Sequence, residues 1–440
     1  MNERQRKMSA EIDHRGDPLG AAWVPGKSMR PRPERWQNGV CASGRGRVAA
    51  NRVVEAIRRA RETVFVSSFL VSDQEIARAL LEAARRGVRA YVLLAAERVK
   101  KEPKGDEDFD QRMYEAEKKL LLETAGYALV RSAGFFHAKV VLVDAPAGDG
   151  FLLTANLTTE ALERNEELIV ELAPEQQAAV YRWLSFAFWE LAENEMPAPG
   201  ALERIGPAGW VKPPASAPSA PVTAPGSTAL REAACGLIEH ARQSLMVASF
   251  GWADDHAVVR RIIERARQGL RVIVLARPRP SAMKALVALR EAGATVLGFP
   301  YLHAKAIWND AGEAMVMSAN LQVHGLDDGF EVGAVLDGAR ADAVEAALAA
   351  WAEDAPFSLE TGLRVGDVRG KVKLWSGRSL DDAEIEEVRE VDLGRVVVPS
   401  ADRLDATPPL PPHRAAKLTH RTVARWVAEL PPLDPKAPAR

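Results

Sequence analysis

From Ala49 onward, apolar residues recur with two distinct periods. Val53, Val54, Ile57 and Ala60 follow helical spacing, and the short continuous run Val64-Phe65-Val66 predicts a strand. Ile76, Ala79, Leu80 and Ala83 predict a second helix that stops at Gly87, and Val88 to Leu94 reads as a buried strand. Helices alternating with apolar strands imply an α/β fold in which parallel strands are joined by right-handed crossovers.

The pattern then repeats at the level of residues. TVFVSSF (Thr63 to Phe69) is answered by SLMVASF (Ser244 to Phe250), and RRGVRAYVLL (Arg85 to Leu94) by RQGLRVIVLA (Arg267 to Ala276). Ala125-Gly126 returns as Ala292-Gly293, and His137-Ala138-Lys139 as His303-Ala304-Lys305. Similar order and spacing over this length mark an internal duplication, interrupted by an insertion of roughly fifteen residues within Glu97 to Lys119. That insertion reads as a solvated helix of mixed charge.

The chain accordingly divides into an irregular basic arm (1–47), a first lobe (48–196), a Pro/Ala/Ser-rich linker (197–228), a second lobe (229–355) and a C-terminal accessory tail (356–440). The arm carries prolines at 18, 25, 31 and 33. The linker includes KPPASAPSAPVTAPGS, a composition expected to stay semi-extended. Two lobes on such a linker are expected to pack about a pseudo-twofold axis, giving a monomer with an internal pseudo-dimer. The tail is expected to hold short strands (Lys371 to Trp375, Arg395 to Val398) and one helix (about Thr419 to Leu430).

Composition narrows the classes. With 440 residues, 47% hydrophobic and 27% charged, the chain is an ordinary globular protein of two to three domains. Its net charge of −2 creates no whole-molecule attraction for polyanions, so any such site is a local patch. Cys41 and Cys235 are the only cysteines and have no metal-ligand spacing, which argues against disulfides and zinc. Neither an apolar core of signal-peptide length nor an uncharged apolar run of spanning length is present. The expectation is a soluble, cytoplasmic protein without stable membrane insertion.

The chemistry concentrates in FFHAKVVLVD (Phe135 to Asp144) and YLHAKAIWND (Tyr301 to Asp310). Each holds a His, a Lys two residues on and an Asp five residues after the Lys. Strand alternation would put His137 and Lys139, and likewise His303 and Lys305, on one face. Thr154-x-Asn156 and Ser318-x-Asn320 follow, and eleven residues beyond each Asn stands Glu167 or Glu331. A His can attack phosphorus or serve as general acid near neutral pH. A Lys and an Asn can hold non-bridging phosphate oxygens, and a carboxylate can fix an imidazole tautomer. Phosphoryl transfer through a phosphohistidine wants two imidazoles, one to attack and one to protonate the leaving oxygen, and the duplication supplies two sets. Positive charge would come from the lysines, with no metal and no cofactor.

Two HxKx4D motifs, each followed by (S/T)-x-N and a Glu, resemble the signature of the phospholipase D superfamily over roughly residues 48–355. The resemblance implies a mixed sheet flanked by helices in each lobe, with both motifs meeting at one site between lobes. It also implies a metal-independent two-step transfer. By matching position, His137 and His303 would be nucleophile and acid/base, the family's pattern leaning to His137 as the nucleophile. Lys139, Lys305, Asn156 and Asn320, with Thr154 and Ser318, would hold the phosphate; Glu167 and Glu331 would each orient a histidine. Asp144 and Asp310 would support the site. The glycine often found before the hydroxyl residue is Leu153 in one copy and Met317 in the other.

Relatives of this kind that act on lipid carry signal peptides or N-terminal apolar helices, and DNA-end repair relatives lack the motif Asp. An intracellular nuclease acting on DNA, including foreign DNA, is the favoured expectation. A peripheral phospholipase D or phosphatidyltransferase is the alternative, and a catalytically idle binding module the third class. Without a GxxxxGK[ST] loop, any motor would be a separate ATPase or helicase. The remaining histidines read as surface or capping residues, with His324 near enough to Asn320 to line the site. Trp183, Phe186, Phe188 and Trp189 read as core.

Overall fold

The computed structural model describes residues 21–25, 34–95, 126–198, 201–361, 370–376 and 384–391. The insertion at Glu97 to Lys119, the strand at Arg395 to Val398 and the tail helix lie outside the described residues. Contacts divide the chain into two compact units. One holds Arg32–His240 and His303–Ala347; the other holds Met1–Pro31, Ala241–Leu302 and Leu348–Arg440. Each is mixed α/β.

In the first of these units, helix α1 (Val48–Arg59) buries Ala49, Val53, Val54 and Ile57. It leads into strand β1 (Thr63–Ser68). Helix α2 (Gln74–Arg85) starts where Asp73 accepts a hydrogen bond from the Ile76 amide at 3.1 Å. Beyond it Gly87 takes φ +92°, the left-handed conformation that ends a helix at little steric cost. Strands β2 (Arg89–Ala95) and β3 (Ala128–Ala133) follow, and β1, β2 and β3 run parallel with Val64 opposite Ala90 and Ala90 opposite Ala128. On the other side of β1 the sheet turns antiparallel through β4 (Val140–Val143), β5 (Asp149–Leu153) and β6 (Leu168–Glu171). Val40–Ala42, read as irregular arm, closes this edge against β6.

The second repeat copies these parts. In the second unit β7 (Ser244–Ser249), β8 (Arg271–Ala276) and β9 (Thr295–Gly298) are parallel, with helix Ala257–Arg267 between the first two. His256 caps that helix, its Nδ1 accepting from the Val258 amide at 3.2 Å. Ala22–Pro25 pairs with Phe357–Glu360, and Trp23, fully buried, turns its indole N–H to the Met283 sulfur at 3.1 Å. One apolar side chain thus ties down part of a sequence whose prolines and charges read as unstructured.

The repeat's antiparallel strands β10 (Ala306–Asn309), β11 (Glu313–Met317) and β12 (Glu331–Asp337) belong to the unit that holds the first repeat. The proline-rich stretch read as a linker supplies a strand here. Val222–Ala224 pairs antiparallel with β12, and the Ser219 and Pro221 carbonyls accept from Val335 and Gly333. On its other side the same strand pairs with Ser227–Thr228, the last strand of the sheet.

Farther along the tail, Gly370–Ser376 pairs with Glu384–Val391 in a two-stranded ladder. Trp183, Phe186 and Phe188 are buried as expected. Trp189 is half-buried, capped by the Arg131 guanidinium 4.4 Å from its ring and by Trp210.

Candidate active site

Both HxK motifs lie in the same compact unit. Neither sits within a strand, as alternation predicted. Each occupies the extended residues entering one, His137–Lys139 ahead of β4 and His303–Lys305 ahead of β10. Hydrogen bonds still hold these stretches to the neighbouring strand, Leu153 N–H to Lys139 O at 2.9 Å and Met317 N–H to Lys305 O at 3.1 Å. Leu153 and Met317 are the last residues of β5 and β11 and are fully buried, so the usual glycine's place is taken by core side chains.

The two motifs are interlocked by backbone. His137 donates its amide to Phe330 O at 3.1 Å, and Phe330 donates to Phe135 O at 2.8 Å. In the other copy His303 and Ala304 donate to Glu166 O at 3.1 and 2.8 Å. Each histidine therefore lies beside the residue preceding the opposite repeat's glutamate, and the side chains pair accordingly. His137 Nδ1 is 2.7 Å from Glu331 Oε1, and His303 Nδ1 is 2.8 Å from Glu167 Oε1. The pairing is crossed. Each carboxylate fixes the Nδ1–H tautomer of its histidine and leaves the lone pair on Nε2.

The glutamates are themselves positioned. Thr154 Oγ1 donates to Glu167 Oε2 at 2.6 Å and accepts from the Leu168 amide at 2.9 Å. Ser318 likewise donates to Glu331 and accepts from the Val332 amide at 3.0 Å. Both hydroxyls are fully buried and donate to carboxylates. The lysines are buried too. Lys139 Nζ donates to the His137 carbonyl at 2.6 Å, and Lys305 Nζ to the His303 carbonyl at 2.6 Å while lying 3.0 Å from both ring nitrogens of His303. Asn320 is buried, and the Asn156 Oδ1 is buried without a hydrogen-bond partner.

Electrostatics joins these groups into one site. Burial pushes the His303 imidazolium down to about 4, with Glu167 opposing and Lys305 and Lys139 adding to the fall. His137 is lowered for the same reasons, burial first, with Glu331 opposing and both lysines adding. Burial lowers Lys139 to about 8 and Lys305 to about 7, although Glu167 and Glu331 both favour the cations. Burial would raise the two glutamates, but the histidines, lysines and hydroxyls outweigh it and hold them below the ordinary carboxylate range. Each motif's lysine thus acts on the other motif's histidine. Only 16% of the His137 side chain and 13% of His303 remain exposed, so a ligand meets imidazole edges with ammonium groups behind them.

The motif aspartates stand apart from this cluster. Asp144, at φ +49°, accepts from the amides of Arg61, Glu62 and Thr63 at 2.7–3.2 Å, fastening the start of β1 to the end of β4. Partial burial pushes its carboxyl up, but the three amides outweigh it and hold it below the ordinary carboxylate range. Asp310 follows β10 directly and is half-buried.

Four neighbours were not read from the sequence. The ring of Phe69 meets that of His137 edge-on at 5.4 Å, and Phe136 stacks on Phe330 at 5.0 Å. Glu166 matters through its carbonyl. The Ser-Phe that closes both copies of the first repeated heptad was the available signal for Phe69; the other contacts have none.

Residues 53–188 match the family described as "Cardiolipin synthase, PLD-like domain". The match spans the first repeat and is to a phospholipase D-like domain, a family of phosphodiesterase type. No curated protein matches the sequence. Among solved structures, phosphatidylserine synthase from Haemophilus influenzae Rd KW20 shares the fold at a TM-score of 0.56 and 12% identity, over 75% of this chain and 89% of that one. Nuc from Salmonella typhimurium, a phospholipase D family member, is 18% identical over 38% of this chain and 98% of its own, with a TM-score of 0.28. NucT from Helicobacter pylori is 21% identical over 33% of this chain and 90% of its own, also at 0.28.

Proposed function

We propose that this chain is a nuclease of phospholipase D type that cuts phosphodiester bonds through a phosphohistidine, without a metal ion. The crossed pairs His137–Glu331 and His303–Glu167 carry the chemical part of this reading. In the reaction His137 Nε2 attacks phosphorus while His303 protonates the departing oxygen. His303 then takes a proton from water, which attacks phosphorus and releases His137. Lys139, Lys305, Asn156 and Asn320 hold the non-bridging oxygens. Burial keeps His303 neutral in the empty site, so the proton it donates is taken up with the anionic substrate, whose charge favours the imidazolium.

The nucleic-acid part rests on the sequence. Both motif aspartates are present, and the arm carries an excess of Lys and Arg over Asp and Glu. Among the described residues no helix is long and apolar enough to cross a membrane. DNA is the preferred substrate in this reading, with any motor supplied by a separate ATPase or helicase. A second reading has a specific observation behind it: the matched family and one fold relative are named for phospholipid synthesis. In that reading the same histidines transfer a phosphatidyl group.

Incubation with labelled single- and double-stranded DNA, RNA and phosphatidylcholine vesicles in excess EDTA distinguishes the two. Cleavage of nucleic acid with vesicles untouched is the expected result. Lipid turnover alone would replace the nuclease reading by the second, and loss of all activity in EDTA, restored by magnesium, would remove the metal-independent mechanism.

A further inference from the structure

The two repeats are alike in the catalytic groups and unlike on either side of them. Counting from Asn156 and Asn320, Glu160 of the first repeat stands where the second has His324, Ala161 where it has Gly325, and Glu166 where it has Phe330. The residues gathered about His137 are largely aromatic. Phe69 meets its ring, Phe136 stacks on Phe330, and Phe135 faces His324 with ring centroids 5.7 Å apart. On the His303 side Glu166 accepts the amides of His303 and Ala304, and Tyr301 and Leu302 stand where the first repeat has Phe135 and Phe136.

Phe135 is the unusual member. It is 62% exposed only two residues from His137 and adopts φ +55°, uncommon for a bulky side chain. Hydrogen bonding over-determines this conformation, since Phe330 donates to the Phe135 carbonyl and His137 to the Phe330 carbonyl. Strain held in this way clusters at ligand sites. Its partner is also specially placed. His324 opens a one-turn π-helix, His324–Asp328, and its side chain is 46% exposed, with Nδ1 3.4 Å from Asp328. Glycines let that turn sit close. A Cβ on Gly325 would meet the Asn320 carbonyl at 2.3 Å, and one on Gly329 the His324 carbonyl at 2.1 Å. The second repeat thereby brings an aromatic ring to the exposed Phe135, where the first repeat has a carboxylate at the equivalent position.

We infer that Phe135 and His324 form a stacking platform for a nucleobase next to the scissile phosphate, on the His137 side of the site. The inference rests on the nuclease reading and adds to it a direction of binding and a preference for unpaired bases. Aromatic faces accept any base, so the platform confers affinity for single strands with little sequence preference. Duplex bases, stacked on each other, present no face to it.

The test compares a single-stranded oligonucleotide with one of equal length carrying abasic sites, for the full chain and its Phe135→Ala, His324→Ala and Phe135→Trp variants. The wild type should favour the base-bearing strand in kcat/KM. Phe135→Ala should reduce that preference by roughly 5- to 100-fold, His324→Ala by less, and Phe135→Trp should restore it. Quenching of 2-aminopurine beside the cut should weaken in parallel in a His137→Asn background. Equal effects of Phe135→Ala on both strands, or none on either, would overturn the platform while leaving the nuclease reading intact. Lipid turnover with no cleavage of any strand by the wild type would instead overturn the nuclease reading, and the platform with it.

Discussion

His137 and His303 differ from ordinary surface histidines in what each faces: a carboxylate from the opposite repeat on Nδ1 and buried ammonium groups nearby. The crossing makes a prediction that separates the two glutamates. Glu331→Gln should disable the nucleophile and Glu167→Gln the acid/base, each lowering kcat by about 10²–10⁴-fold. With an activated nitrophenyl phosphodiester, Glu167→Gln and His303→Asn should both accumulate an acid-labile adduct on His137. Glu331→Gln and His137→Asn should not. Mass spectrometry of quenched reactions reads this directly, and an adduct on His303 would exchange the two roles. A second prediction concerns pH. The empty site needs its lysines charged, and burial has lowered them to about 8 and 7, so kcat/KM should fall as pH rises through that range. Bound phosphate favours the ammonium forms, so the alkaline limb of kcat should lie at higher pH than that of kcat/KM. Coincident limbs in the two profiles would count against lysine as the phosphate-holding charge.

Elements are held in register by polar residues that carry no chemistry. Asp73 is buried, caps α2, receives a hydrogen bond from Thr159 and pairs with Arg47 through both oxygens at 3.0 Å. Asp73→Ala should destabilise the protein by about 2–3 kcal/mol, less than a fully orphaned buried charge because Arg47 retains Glu163 at 2.6 Å. Urea unfolding measures this; a change below about 0.5 kcal/mol, the scale of ordinary surface substitutions, would show that the cap and ion pair are dispensable. Elements whose signal is local were legible. The period of α1 and α2, the apolar run of β1 and the stop at Gly87 all appear in the fold. Val222–Ala224, Val40–Ala42 and Ala22–Pro25 were not legible, because each is a short strand at or next to a sheet's edge, made by its partner. Edge pairing needs backbone groups and one or two buried side chains, and neither alters a composition dominated by proline or charge.

At the scale of the molecule, both motifs fall within one compact unit. The second repeat's antiparallel strands, with His303, Lys305 and Glu331, belong to the compact unit built on the first repeat. The proposed site is therefore complete within one chain. Specific activity should stay constant on dilution from micromolar to nanomolar protein. Mixed His137→Asn and His303→Asn proteins should show no recovered turnover. Recovery on mixing would mean that chains exchange motifs and assemble sites between copies.

The sequence by itself determined the duplication and the α/β class, since these depend on local periodicity and on recurrence at matched spacing. That the Asp144 carboxylate accepts from three amides of residues 61–63 was not in it. Which partner each group meets was decided only by the tertiary structure. Glu167 stands 136 positions from His303 and Glu331 stands 194 from His137, and no spacing rule reaches across such separations. Nor does a motif reveal that Thr154 and Ser318 serve carboxylates, or that burial lowers both lysines. Those facts follow from desolvation and from through-space pairing, which exist only once distant strands have come together.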